Sequence, residues 1–314
     1  MPILRLLGCA FALAALAACS RHGTPSSAAP MSPAAPAQTG AASPADPGEG
    51  PRITLSKDAL HVEYHVYGHG DPAVILIHGW ACNANYWKDQ LDAIKVRYTV
   101  VTMDLGGHGA SENNRSDWSI ANYAEDVAAV AHQVPNPHLI LVGHGMGAVV
   151  ALASLPLVGP RVTGVVAVDA LRSVGLPPEP AAQIAAQIAP FRADFIGSTR
   201  QLVTQSLFPA DADRLLVQKV AYDMSRARPQ VAVASMQSLL SVDLAPIVSE
   251  VHVPVYAINS DLQSTDAARI RKSLPEFRLD VLPHSGHFLM LEAPARFNPL
   301  LLADLDALSE RAAH

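Results

Sequence analysis

The chain is predicted to be an α/β protein built on a mostly parallel, doubly wound sheet, and three observations carry that expectation. Short apolar runs rich in β-branched residues recur along the sequence, and the later ones are continuously apolar, as strands covered on both faces must be. Segments with helical spacing separate them, which is the rhythm of βα units. One interval of about eighty residues, 169–254, breaks the rhythm with helical patterns and no convincing strand.

From the N-terminus, Arg5 precedes an apolar run from Leu6 to Ala18 that ends in Leu16-Ala17-Ala18-Cys19. The run is too short to span a bilayer comfortably, and the small residues before the cysteine suit cleavage. This resembles the lipobox of bacterial lipoproteins, which implies a signal peptide over 1–18, lipid on Cys19 and anchoring to a membrane. With Ser20 rather than Asp after the cysteine, it implies the outer membrane, periplasmic or cell-surface face. Residues 19–51 are almost wholly Ala, Pro, Ser, Gly and Thr, which bury too little apolar surface to offset chain entropy, so a disordered tether is expected there. Of three cysteines, Cys9 leaves with the signal and Cys19 carries lipid, so Cys82 has no partner for an intrachain disulfide. Lys and Arg number 22 against 28 Asp and Glu with no basic block, so no electrostatic footprint for nucleic acid exists.

Strands are expected at 60–67, 73–77, 98–103, 138–142, 162–168, 254–258 and 278–282, with helices at 86–94, 120–133, 146–155, 265–273 and 294–310. In the interrupted interval, helical spacing covers 181–188, 201–207, 212–225 and 231–240. The chain leaves one strand and returns to its neighbour, so this interval is expected to form a lid over the sheet. The core is then 52–170 with 251–314, and the cap 171–250.

Five motifs sit where chemistry would need them. His78-Gly79-Trp80 directly follows an apolar strand and precedes Asn85-Tyr86-Trp87. Asp104-Leu105-Gly106-Gly107-His108-Gly109-Ala110-Ser111 follows the next strand and reads D-x-x-G-x-G-x-S. The run from His138 to Gly147, H-L-I-L-V-G-H-G-M-G, carries a strand into a G-x-x-x-G elbow through Gly143 and His144. Ile258-Asn259-Ser260-Asp261 ends a later strand, and Gly286-His287-Phe288 begins a G-H-F-x-x-x-E-x-P pattern running to Pro294. In type and order they resemble the α/β-hydrolase superfamily, and its capped bacterial esterase-like members in particular, over nearly all of 52–310.

The resemblance implies an α/β-hydrolase fold with the helical cap inserted after the sixth strand. It implies His287 as the catalytic histidine and Asp261 as its acid, with Asp266 a weaker candidate and Asp169, after the sixth strand, an alternative location. Asn259 stands where a glycine is usual before the acid, and Asp261 follows it by two residues. The backbone N–H groups of Trp80 and Met146 would form the oxyanion hole. His78, Gly79, Gly143, His144 and Gly147 support the elbow and its loop, and Ser111 bonds the loop backbone. The three histidines 78, 144 and 287 lack metal-ligand spacing, so neither a metal nor a cofactor is expected. Cys82 reads as a buried, inert thiol.

The elbow departs from the family at its centre, because Gly145 occupies the position of the nucleophilic serine. A hydrogen atom cannot replace an attacking hydroxyl, so an acyl-enzyme is not expected. Three readings stand: a small-ligand-binding pseudoenzyme; a His/Asp base dyad working without a nucleophile; or a replaced parental serine in a carboxylic-ester hydrolase. All imply a small-molecule substrate or ligand, with the Ala, Val, Leu and Ile of the cap suiting an apolar acyl or ring part.

Overall fold

The computed structural model describes residues 50–312. The signal peptide, Cys19 and nearly all of the tether lie outside the described residues.

Strands β1 (Arg52–Leu55), β2 (His61–Tyr67), β3 (Ala73–Ile77) and β4 (Thr99–Met103) are followed by β5 (Leu139–His144), β6 (Val162–Val168), β7 (Val255–Ser260) and β8 (Arg278–Leu282). They form one eight-stranded sheet in the order β1-β2-β4-β3-β5-β6-β7-β8. The first two strands pair antiparallel at one edge, and the remaining pairs are parallel. Every residue of β3, β4, β5 and β7 is buried, which is why these segments read as mostly apolar runs, with polar residues toward their ends, rather than alternating ones. β1 is missing from the sequence reading. It is four residues long with Ile53 and Leu55 exposed, so neither length nor burial marks it.

Helices α1 (Lys88–Ile94), α2 (Ile120–Gln133) and α3 (Met146–Val158) fall between the central strands. Buried Val127, Val130, Val149 and Leu152 join α2 and α3 to the core, each such side chain contributing about 1.5–3 kcal/mol by leaving water. Between β6 and β7 the chain forms α4 (Ala181–Ala193), α5 (Phe195–Ser206), α6 (Arg214–Ser225), α7 (Pro229–Ser241) and α8 (Leu244–Ser249). No strand occurs in this insertion. Asp194 and Asp213 cap α5 and α6 by accepting the N–H of Gly197 and Leu215. The insertion docks on the core through buried Phe191, Phe195, Val231 and Met236. Three helices complete the chain: α9 (Ala267–Ile270), α10 (Leu289–Glu292) and α11 (Pro294–Ala312). The α9 segment is shorter than the spacing suggests: Asp266 caps its start, and from Arg271 onward the chain continues in turns rather than regular helix.

Candidate active site

All candidate groups gather at the carboxyl ends of the parallel strands, where an open α/β sheet leaves a crevice. β5 delivers the elbow. Gly145 follows β5 at φ +51° and ψ −114°, and Met146 opens α3 directly after it. Strand and helix pass so closely that a Cβ at Gly143 would lie 2.3 Å from the Gly147 carbonyl oxygen, and one at Gly147 would lie 2.5 Å from the oxygens of Ile77 and His78. Both flanking glycines are therefore required by packing. At Gly145 the requirement is conformational: the backbone occupies the left-handed half of φ, which a glycine adopts without strain.

β3 delivers the loop on which the sequence places one expected oxyanion donor, Trp80. In the sheet register Ile77 lies beside Gly143, so Trp80 and Met146, each three residues further along, emerge at the same end of neighbouring strands. His78 fixes this loop, donating from Nδ1 to the Gly79 carbonyl at 2.8 Å and accepting the Leu105 N–H at Nε2 at 3.0 Å. Burial pushes its pKa down to about 4, so it stays neutral as that pattern demands. The Trp80 indole N–H donates to the Ala232 carbonyl of α7 at 2.7 Å, and its ring meets Phe191 and Phe195 edge-on at 5.8 and 6.2 Å. The loop is thus tied to the helical insertion above it.

His287 is 3% exposed, and three elements hold it. Its N–H donates to the Leu207 carbonyl at the end of α5 at 2.7 Å. Its own carbonyl accepts the Nε2–H of His144 at 2.9 Å, with the two rings 4.4 Å apart. Glu292 reaches back from α10 to accept the N–H groups of Gly286 at 2.9 Å and Phe288 at 3.1 Å, which is the physical content of the E in the G-H-F-x-x-x-E pattern. A Cβ placed on Gly145 would sit 3.2 Å from both Nε2 and Cε1 of His287. The imidazole therefore faces the empty side-chain position of the elbow.

The partner of His287 is Asp169, and this corrects the assignment of Asp261. Asp169 Oδ2 accepts from His287 Nδ1 at 2.7 Å. Its Oδ1 receives the Arg172 guanidinium at 2.7 Å, the Ser260 hydroxyl at 2.7 Å and the Ser260 N–H at 2.8 Å. Burial by itself would raise this carboxyl, but the hydrogen bond from His287 and the charge of Arg172 outweigh it and hold Asp169 well below the usual carboxylate range. The residue keeps a left-handed backbone, φ +46°, which few non-glycine residues adopt and which the surrounding bonds sustain. Asp261 lies on the surface and accepts the N–H groups of His284 at 2.9 Å and Ser285 at 3.3 Å. Chiefly through His284 its carboxyl is also held low, but it shapes the loop rather than touching the histidine. Asp266 caps α9. Val168 pairs with Ile258 in the sheet, so Asp169 is one residue beyond the paired position, whereas Asp261 is three beyond, just past the end of β7 where the chain bends away. The sequence signal was an Asp directly after an apolar strand with Arg172 three residues on.

The remaining candidates have structural partners. Ser111 donates its hydroxyl to the Asp104 carbonyl at 2.6 Å and accepts the Glu63 N–H at 2.9 Å. Asp104 in turn accepts the N–H groups of Ala84 and Ala110. Cys82 is buried, its thiol donates to the Trp80 carbonyl at 3.3 Å, and burial pushes the thiol up, away from a reactive thiolate. Among the described residues no three His, Cys, Asp or Glu side chains converge to hold a metal ion.

With Nδ1–H directed at a carboxylate, His287 carries its lone pair on Nε2, toward Gly145. The arrangement is an Asp–His base with no side chain between it and a ligand. A model of the alpha/beta hydrolase family matches residues 74–300, most of the described chain. The chain belongs to the alpha/beta hydrolase family. It is 26% identical over 262 residues to a 2-(acetamidomethylene)succinate hydrolase of Mesorhizobium japonicum, covering 77% of this chain and 90% of that protein. A pimeloyl-[acyl-carrier protein] methyl ester esterase of Methylococcus capsulatus is 27% identical over 239 residues, covering 72% and 92%. Among solved structures, an esterase from Exiguobacterium antarcticum superposes with a TM-score of 0.72 at 19% identity, covering 81% of this chain and 98% of that one. The last likeness is one of fold. In this member of the alpha/beta hydrolase family His287 is bonded to Asp169, the residue that follows β6.

Glu292 gives the family member a specific pH dependence. Burial raises its pKa from 4.5 to about 7, only partly offset by the two N–H groups it accepts. Between those values the folded chain holds a proton that the unfolded chain releases. Its contribution to stability is therefore full below about pH 4.5 and is lost as pH rises through about 7. Asp304, pushed up to about 7 by burial and then by Asp280, acts in the same direction. Buried His78, His108 and His144, held below the usual histidine value, act in the opposite direction, so the test is a difference: the Tm of the parent relative to that of Glu292→Gln is expected to fall as pH rises from about 4.5 through about 7.

Proposed function

We propose that the protein is a carboxylic-ester-hydrolase-like enzyme that acts on small acyl compounds by base catalysis from the His287–Asp169 dyad, without an acyl-enzyme. The observation that carries this reading is the complete, buried dyad whose free Nε2 faces the bare Cα of Gly145. Mere loss of function gives no reason for Asp169 to keep a left-handed backbone and four hydrogen bonds in order to orient one imidazole. In this mechanism His287 Nε2 takes a proton from a water molecule in the space a serine side chain would fill, the water oxygen bonds to the acyl carbon, and the imidazolium returns the proton to the leaving oxygen as the acyl–oxygen bond breaks. Asp169 stabilises the imidazolium that forms. The developing oxyanion is received by the N–H groups of Trp80 and of Met146, the latter at the positive end of α3. The relatives named as hydrolases of an acetamidomethylene diacid and of a methyl ester support acyl transfer to water as the reaction class.

The lipobox-like sequence at Leu16–Cys19 supports a lipid anchor at the outer membrane, with residues 19–51 as the tether that holds the enzyme clear of the bilayer. The test of the catalytic reading is steady-state hydrolysis of p-nitrophenyl butyrate by the full chain and by His287→Ala. Turnover by the parent that falls at least about 100-fold in the variant is expected, which is the usual worth of a positioned general base. Equal rates would remove the dyad from the chemistry. Saturable thermal stabilisation by the ester with no turnover would favour a pseudoenzyme receptor, for which glycine at the unstrained elbow is the supporting observation.

A further inference from the structure

A cavity of about 630 Å³ lies at the seam between the helical insertion and the core, lined by the loops after β3 and β4, by α6 and by Leu291 of α10. It adjoins the candidate active site without containing it. Ala81 and Cys82 in its wall follow Trp80 directly, and the ring of Tyr86, also in the wall, packs 5.7 Å from Phe288, the neighbour of His287.

The charge of this cavity runs against that of the molecule. The chain carries a formal net charge of −6, yet Lys88, Lys219, Arg226 and Arg228 line the cavity against only Asp89 and Asp223. Lys219 and Asp223 form an ion pair with each other, and Arg226 lies on the Tyr222 ring and donates to its hydroxyl. Arg228 is fixed by a bond from one guanidinium nitrogen to the Gly107 carbonyl at 2.8 Å, an uncharged partner that leaves its positive charge uncompensated. Among the described residues no ion pair joins Lys88 or Arg228 to a carboxylate. The wall also holds polar Asn83, Asn85 and His108, and Leu216, Val220, Ala227 and Leu291 supply an apolar strip beside the charges. A cavity of this volume suits a small organic ligand rather than a bare ion.

We infer that this seam binds the carboxylate of an amphiphilic acyl compound, held by Lys88 and Arg228 with its apolar chain along α6 and Leu291. Resting on the hydrolase-like reading above, the inference narrows the substrate to acyl compounds that carry a free carboxylate, and it places that carboxylate at the insertion–core seam. The charge favours an anion through Coulomb attraction in a partly enclosed site, and Arg228 presents a planar fork matched to a carboxylate.

Isothermal titration of the full chain with hexanoate, methyl hexanoate and inorganic phosphate tests this. Saturable hexanoate binding is expected, weakened roughly tenfold in Lys88→Gln and again in Arg228→Gln, the loss typical of one charge-assisted hydrogen bond. Lys88 is exposed, so Lys88→Gln reads the site even if Arg228→Gln disturbs the Gly107 loop. Methyl hexanoate is expected to bind both variants as it binds the parent. Undetectable hexanoate binding, equal binding by parent and Lys88→Gln, or phosphate bound as tightly as hexanoate would each overturn the inference. The readout needs no turnover. Hexanoate binding without His287-dependent hydrolysis keeps this site and removes the hydrolytic reading, whereas hydrolysis of a neutral ester with no hexanoate binding does the reverse.

Discussion

Gly145→Ser is expected to raise p-nitrophenyl butyrate hydrolysis by up to about 10⁶-fold, the loss that follows when a serine hydrolase is stripped of its nucleophile. Every other part of the site is in place: the dyad, with Nε2 3.2 Å from where the new Cβ would stand, and Met146 at the head of α3. A serine Oγ one bond beyond that Cβ would come within hydrogen-bonding reach of Nε2. The same geometry sets a cost. At φ +51° a residue with a Cβ is strained, by about 1–3 kcal/mol, and the 3.2 Å contact obliges His287 to shift by a few tenths of an ångström. The variant should therefore be both more active and less stable than the parent, and denaturant melts alongside the rate measure both. A stable variant with no gain would mean that the oxyanion groups or the substrate class have been misassigned.

Asp169→Asn is expected to be the most damaging substitution in the site. It removes the charge that balances buried Arg172, 8% exposed, and breaking one side of a buried ion pair costs about 3–5 kcal/mol. It also replaces an acceptor of the His287 Nδ1–H with a group that can present an N–H, so the imidazole loses its defined tautomer. In a serine protease that change alone lowers kcat about 10⁴-fold, and a loss of that order is expected here on the Gly145→Ser background, whose higher rate keeps so large a fall measurable. Asp261→Asn, by contrast, alters only the contacts to His284 and Ser285 and should change turnover little. Measured together, the two variants decide the acid. Both carboxyls are held low, so each contributes stability that is present above the ordinary carboxylate value and lost as pH falls below it, Asp169 through its bonds to His287 and Arg172 and Asp261 through backbone N–H groups. Asp169→Asn should remove the Asp169 part of that acid limb.

The buried strands were legible because a sheet covered on both faces writes itself as apolar runs, and the elbow was legible because Gly143 and Gly147 are forced by close backbone approach. His287 could be placed from its flanking pattern, and Glu292 explains why that pattern exists. β1 was missed because a short, half-exposed edge strand leaves no periodic trace. The acid was misplaced for a different reason. Which of two aspartates beyond neighbouring strands meets the histidine depends on register and on the turn after each strand, and neither is written in local spacing. The compensating partners of Asp169 come from Arg172 nearby and from Ser260, which is distant in sequence and adjacent only in the sheet.

Proton transfer by His287 without a covalent intermediate is tested by pre-steady-state hydrolysis of p-nitrophenyl butyrate by the full chain, followed by intact-protein mass spectrometry during turnover. Linear release of p-nitrophenol with no initial burst and no butyryl mass on the protein is the predicted result, while Gly145→Ser shows both a burst and the adduct. A burst equal to the enzyme concentration, or a butyryl group on Ser111, Cys82 or any other residue of the parent chain, would contradict it.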